Sequence, residues 1–129
     1  YYGGVDSTPL WIMLAGQYYE HTGNRSVIER LWPAIEKALA WIEDYGDGDG
    51  DGFIDYDCKM DGGLANQGWK DSHDSVFHED GSLASTPIAL CEVQGYIYAA
   101  WRAAATLGRA LGREELSAGL EAKADALYA

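Results

Sequence analysis

Apolar residues recur at three- and four-residue spacing in four separate stretches, and that period predicts four amphipathic helices. The first runs from about Pro9 to His21. Leu10, Met13, Leu14 and Tyr18 form its stripe, and Asp6, Ser7 and Thr8 offer N-cap oxygens. Pro9 suits the first helical position, and Gly23-Asn24 ends the helix. The second, about Ser26 to Tyr45, lines up Val27, Leu31, Ile35, Leu39 and Ile42, with Trp32 and Ala38 beside them. Pro33 inside that pattern predicts a kink or a break near Trp32, and Gly46 marks the stop. Pro87 opens the third, which carries Ile88, Cys91, Tyr98 and an Ala-rich second half to about Leu111, with Gly112 as its cap. The fourth, about Arg113 to Tyr128, aligns Leu116, Leu120, Ala124 and Leu127. Phe53-Ile54-Asp55-Tyr56 is the one short candidate strand, so the predicted class is all-α.

The connections differ in character. Gly-, Asp- and aromatic-rich segments precede the first and third helices, whereas short turns precede the second and fourth. Loaded loop, helix, short turn, helix is a unit that occurs twice, which suggests two copies of an αα-hairpin. Both loaded loops then lie at one end, facing the positive dipole ends of two helices. The segment from Gly46 to Thr86, roughly forty residues, is long for a structureless connection, and such loops are usually functional.

Composition narrows the function classes. The 129 residues read as one module, and 9 basic against 21 acidic side chains leave a net charge of −12. That sign argues against nucleic acid and against anionic membrane surfaces, since both need Lys and Arg. A hydrophobic fraction of 47 % excludes intrinsic disorder. No apolar run approaches the ~20 residues of a membrane span. The chain opens at Tyr1 without Met or a secretory leader and reads like the middle of a longer protein. Cys58 and Cys91 make no disulfide framework; they read as small apolar residues of a reduced, cytoplasmic protein, with a single bridge as the alternative.

Three motifs carry candidate chemistry. In Asp47-Gly48-Asp49-Gly50-Asp51-Gly52-Phe53-Ile54-Asp55, carboxylates stand at loop positions 1, 3 and 5, Gly at 6, a carbonyl (Phe53) at 7 and Asp55 at 9. This is the ligand spacing of an EF-hand calcium loop, except that Cys58 occupies position 12 in place of Glu. A bound Ca²⁺ would relieve the repulsion among eight acidic residues between Glu43 and Asp61; a solvated acidic turn is the other reading. The second motif, Asn66-Gln67-Gly68-Trp69-Lys70-Asp71-Ser72-His73-Asp74-Ser75, sets a carboxylate beside an aromatic platform, as glycoside hydrolysis requires. The same residues also suit a loop in which Trp69 anchors on the core and Asp71 or Asp74 caps a turn. The third, Ala89-Leu90-Cys91-Glu92-Val93-Gln94-Gly95-Tyr96, places Glu92 and Gln94 near the N-terminus of an otherwise apolar helix. Such groups serve either a substrate or neighbouring backbone donors. His73, His78 and Glu79 lack zinc spacing, and there is no Gly-x-Ser-x-Gly or phosphate-binding loop.

Together with Tyr1-Tyr2-Gly3-Gly4-Val5-Asp6-Ser7-Thr8-Pro9-Leu10 and Leu31-Trp32-Pro33-Ala34-Ile35, these motifs resemble, in order and over essentially the whole chain, the bacterial amylo-α-1,6-glucosidase (glycogen-debranching-enzyme-like) family. The resemblance implies an (α/α)6 barrel, of which four helices are about a third, and an inverting hydrolase of α-linked glucose oligosaccharides. It makes Asp71 the general acid and Asp6, Trp69, Glu92 and Gln94 substrate-binding residues, with the general base outside this chain. A calcium-stabilised carbohydrate-binding or structural module without turnover is the alternative. A partial barrel leaves helix flanks bare. The consecutive apolar residues Leu10 to Leu14 and Tyr96 to Trp101 therefore predict a homodimer.

Overall fold

The computed structural model describes residues 4–58 and 62–129, so Tyr1, Tyr2 and Gly3 of the opening motif and Asp61 of the acidic stretch lie outside it. Four helices carry the fold: α1 (Ser7–Thr22), α2 (Arg25–Tyr45), α3 (Cys91–Ala110) and α4 (Glu114–Tyr128). Among the described residues there is no strand, only two isolated antiparallel bridges, Tyr56 with Ile88 and Phe77 with Leu83. The class is all-α.

Gly23 ends α1 in the left-handed conformation, φ 61°, and its N–H donates to the Tyr19 carbonyl. The Asn24 side chain then caps α2, accepting from the Val27 N–H at 3.3 Å. At the start of α1, Asp6 occupies the N-cap position but its side chain caps nothing. Of the expected kink or break at Pro33, the break does not occur: helix α2 runs unbroken through the proline. Trp32 and Ile35, both in the core on either side of the proline, hold it helical despite a penalty of about 3 kcal/mol. Helix α3 begins at Cys91, four residues later than Pro87 suggests. Ile88 exchanges both backbone hydrogen bonds with Tyr56, each 3.1 Å, which keeps this stretch extended up to Leu90.

Buried faces depart from the stripes in the sequence. The face of α1 that enters the core is Pro9, Ile12, Ala15 and Gly16, while Leu10, Leu14 and Tyr18 point to solvent. The reason is close approach: a Cβ on Gly16 would lie 2.7 Å from the Ala103 Cβ on α3. Small residues, not long ones, define that contact. On α2 the core face is Ile28, Trp32, Ile35 and Ile42; Leu31 and Leu39 pack at its margin. On α3 it is Val93, Ile97, Ala100, Ala104, Ala105, Leu107 and Gly108, and on α4 Ser117, Leu120 and Ala124. Each buried Ile contributes about 1.5–3 kcal/mol by leaving water.

Helix α3 is the hub, packed on α1 and α4 and touching α2. Helix α4 returns antiparallel to it: Tyr98 stacks near Tyr128 with ring centroids 5.8 Å apart, Arg102 pairs with Asp125, and Gly108 lies against Ser117. Ion pairs of Glu36 with Arg113 and Glu43 with Lys123 tie α2 to α4 in parallel register. The N-termini of α1 and α3 meet the same loop, since the Val5 N–H donates to the Gln67 carbonyl and Trp69 reaches Glu92. Helices α1 and α3 thus begin at the same end, where the described loop residues Val5, Gln67 and Trp69 meet. No helix among the described residues is long and apolar enough to cross a membrane.

Candidate functional site

The acidic loop is built by its own carboxylates. Asp47 accepts the N–H groups of Gly50 at 2.7 Å and Gly52 at 3.0 Å. Asp49 accepts from Asp51, Asp51 from Phe53, and Asp55 from Gly48. Gly52 sits at φ 92°, a conformation that side chains rarely adopt, and so permits the sharp turn. Asp47, Asp49 and Asp55 each bring a carboxylate oxygen within 4.8 Å of the others. Asp51 stands outside that group, its Oδ1 turned to the Phe53 N–H at 2.8 Å. An all-oxygen set with flexible spacing suits a hard cation. Asp55 is buried, and burial together with the Asp49 and Asp47 charges pushes its carboxyl above the ordinary range.

Three contacts tie this loop to the second and third motifs. The Gln94 amide clasps Ile54, accepting its N–H at 2.8 Å and donating to its carbonyl at 2.7 Å, and also donates to the Leu90 carbonyl at 3.1 Å. Both amide protons and one lone pair are therefore used on backbone, a task the sequence does not suggest for Gln94. Tyr56, bridged to Ile88, donates its hydroxyl to Asn66 Oδ1 at 2.8 Å. Asn66, itself buried, donates to the Ser72 carbonyl at 2.6 Å and to Ser75 Oγ at 3.2 Å. This buried amide shapes the turn that holds Lys70 and Asp71. No local pattern marks its weight, because a buried Asn and a solvated one look alike in a polar loop.

Trp69 and Glu92 do come together. The indole Nε1–H donates to Glu92 Oε1 at 3.0 Å, and Lys70 Nζ stands over the ring, 5.1 Å from its centroid. The Glu92 carboxyl is held below the usual range, first by its own backbone N–H and then by Trp69, Cys91 and Lys70. Burial and the Glu92 charge raise the Tyr56 phenol, which places that carboxylate within electrostatic reach of Tyr56. Asp71 is exposed, two residues beyond Trp69, and Asp6 is half-buried beside the segment that pairs with Gln67. Trp69 itself is 63 % exposed, so it does not anchor on the core. His73 and His78 are exposed as well.

A small hairpin closes the long loop. His78 N–H donates to Ser82, Ala84 N–H to Val76, and Gly81 turns at φ 84°. Asp80-Gly81 between Val76-Phe77-His78 and Ser82-Leu83-Ala84 is a hairpin signal that sequence reading passed over. It lifts Phe77 and Leu83 into solvent. The arrangement offers one aromatic platform, an ionised carboxylate gripping it, and an exposed Asp71 close by in sequence. Compared with known proteins, the chain matches no family model and no curated protein.

Proposed function

We propose that the chain is a glycoside hydrolase module acting on α-linked glucose oligosaccharides, in which Asp71 donates the proton to the leaving oxygen. The observation that carries this reading is Trp69, an exposed indole held in place by Glu92 two residues from an exposed carboxylate. Aromatic faces stack on sugar rings, and a positioned acid beside them is the first half of glycoside hydrolysis. Asp6 supplies hydroxyl contacts, whereas Gln94 supports the site through Ile54. Inversion requires a second carboxyl roughly 6.5–9.5 Å away with water between, and the proposal assigns that base to no residue of this chain. The hairpin pair would form part of an (α/α)6 barrel. Ca²⁺ would sit among Asp47, Asp49 and Asp55, with Asp51 and the Phe53 carbonyl completing the set, and would act on stability, not chemistry. The same reading carries a cytoplasmic setting.

The test is glucose release from an α-1,6-branched oligosaccharide, by the chain alone and within any longer protein that carries it. Asp71→Asn is expected to cut turnover by about 10²-fold or more, and Asp74→Asn far less. The reverse ranking moves the acid to Asp74. Saturable binding with no release by the unaltered protein favours a carbohydrate-binding module instead.

A further inference from the structure

Surface tryptophans seldom stay in one orientation, because two side-chain torsions are free and solvent accepts the N–H. Trp69 differs. Its N–H is taken by Glu92 Oε1 at 3.0 Å, from the first turn of a long helix. Lys70 Nζ covers one ring face at 5.1 Å. At 63 % exposure the residue as a whole remains largely open to solvent despite that lysine. The helix position of Glu92 is held, because it sits between Leu90, which abuts Gly68, and Gln94, which clasps Ile54. A grip at the edge and a lysine over one face constrain how the exposed indole can present itself.

We propose that Glu92 is a positioning residue, which acts through Trp69 to hold the indole as a stacking platform for a neutral sugar ring. The inference rests on the glucan reading for its ligand but not for its geometry. Lys70 and Glu92 offset each other's charge, so the exposed indole favours neither cations nor anions, and the bare apolar face of a pyranose matches it. The set orientation lowers the ordering cost of binding, which is where preorganised contacts gain affinity.

The indole N–H resonances of the full chain, labelled with ¹⁵N at Trp, test this; the Trp69 signal is the one missing from Trp69→Phe. In the unaltered protein that signal is expected downfield, as for a charge-assisted hydrogen bond, and to shift on titration with maltotriose. Glu92→Ala should move it to the position of a solvated indole and weaken maltotriose binding about tenfold, while the other four indole signals stay put. Glu92→Gln, which keeps an acceptor, should restore most of the affinity. If Glu92→Ala leaves the Trp69 signal in place, the positioning role is overturned. If the signal moves but maltotriose perturbs nothing in the unaltered protein, the grip on Trp69 stands and the glucan occupant falls.

Discussion

Asp55 is 8 % exposed and shares its loop with the carboxylates of Asp47 and Asp49, which explains why its carboxyl holds a proton more tightly than the ordinary value of 3.8. The sign of the linkage follows. Between the unfolded value and the raised folded one, the native state binds more protons than the unfolded chain, so stability falls as pH rises through that interval. At neutral pH and without metal, the ionised Asp55 therefore costs the fold. Asp55→Asn removes that charge and keeps an oxygen for the Gly48 N–H, so it should raise the melting temperature in EDTA, with the gap closing in acid. Millimolar Ca²⁺ should reverse the order, because a cation bound only to the folded state stabilises the protein that still has its ligand. Melting curves of both proteins, with and without Ca²⁺, check this; indifference of the unaltered protein to EDTA and Ca²⁺ would remove the cation from the proposal. Glu92 is shifted in the opposite direction, and it remains a carboxylate wherever the protein is folded at neutral pH.

At the scale of elements, what could be read in advance was the existence of four helices and their punctuation. Gly23, Asn24 and Gly112 perform at the helix ends what their chemistry suggests. Faces were harder to read, since α1 is apolar nearly all round and long side chains dominate any periodic pattern. Contact through Gly16 and Ala103 turns Leu10 and Leu14 outward instead. The start of α3 and the pairing of Tyr56 with Ile88 escaped for a related reason. A single bridge between residues 32 apart leaves no local period to detect. The candidate site was legible as a set of residue types, Trp69, Asp71 and Glu92, but the bond from Trp69 to Glu92 and the hub at Asn66 depend on how the loop folds back.

That close helix contact is testable. Ala is favoured over Gly inside a helix by about 1 kcal/mol, yet Gly16→Ala would set a methyl against the Ala103 Cβ and 3.5 Å from its Cα, neither of which can swing away. We expect Gly16→Ala to lower stability. Gly95→Ala on α3 and Gly119→Ala on α4 meet nothing within 4 Å, so both should raise it by about 0.5–1 kcal/mol. Urea titration of the three variants gives the ranking, and a stabilising Gly16→Ala would mean that α1 and α3 are not so close.

Across the whole molecule, the helix hub decides which surfaces are left bare. The apolar run from Tyr96 to Trp101 looked like an open flank, but α1 and α4 cover it: Ile97 and Ala100 are buried, and Tyr96, Tyr98 and Trp101 are at least half covered. On α1 the situation is different. Leu10, Leu14 and Tyr18, four residues apart, line one exposed face, with Leu14 62 % exposed. A row of this kind offers a second copy an apolar strip to pack on. Self-association through α1 has to overcome the net charge of −12 on each copy, a repulsion that acts beyond contact at low salt and is screened within about 8 Å at physiological ionic strength. The homodimer that the sequence predicts, if it forms through this row, should accordingly tighten as salt rises, the opposite of an assembly held by ion pairs. Leu14→Glu places an extra charge at the centre of the row and should weaken association at least tenfold, about 1.4 kcal/mol, while the helices stay folded because the core face of α1 is untouched. Sedimentation equilibrium over a range of salt concentrations reads both effects at once. A species that stays at 14.1 kDa at every concentration and salt would mean that the exposed row on α1 has no second copy as its partner.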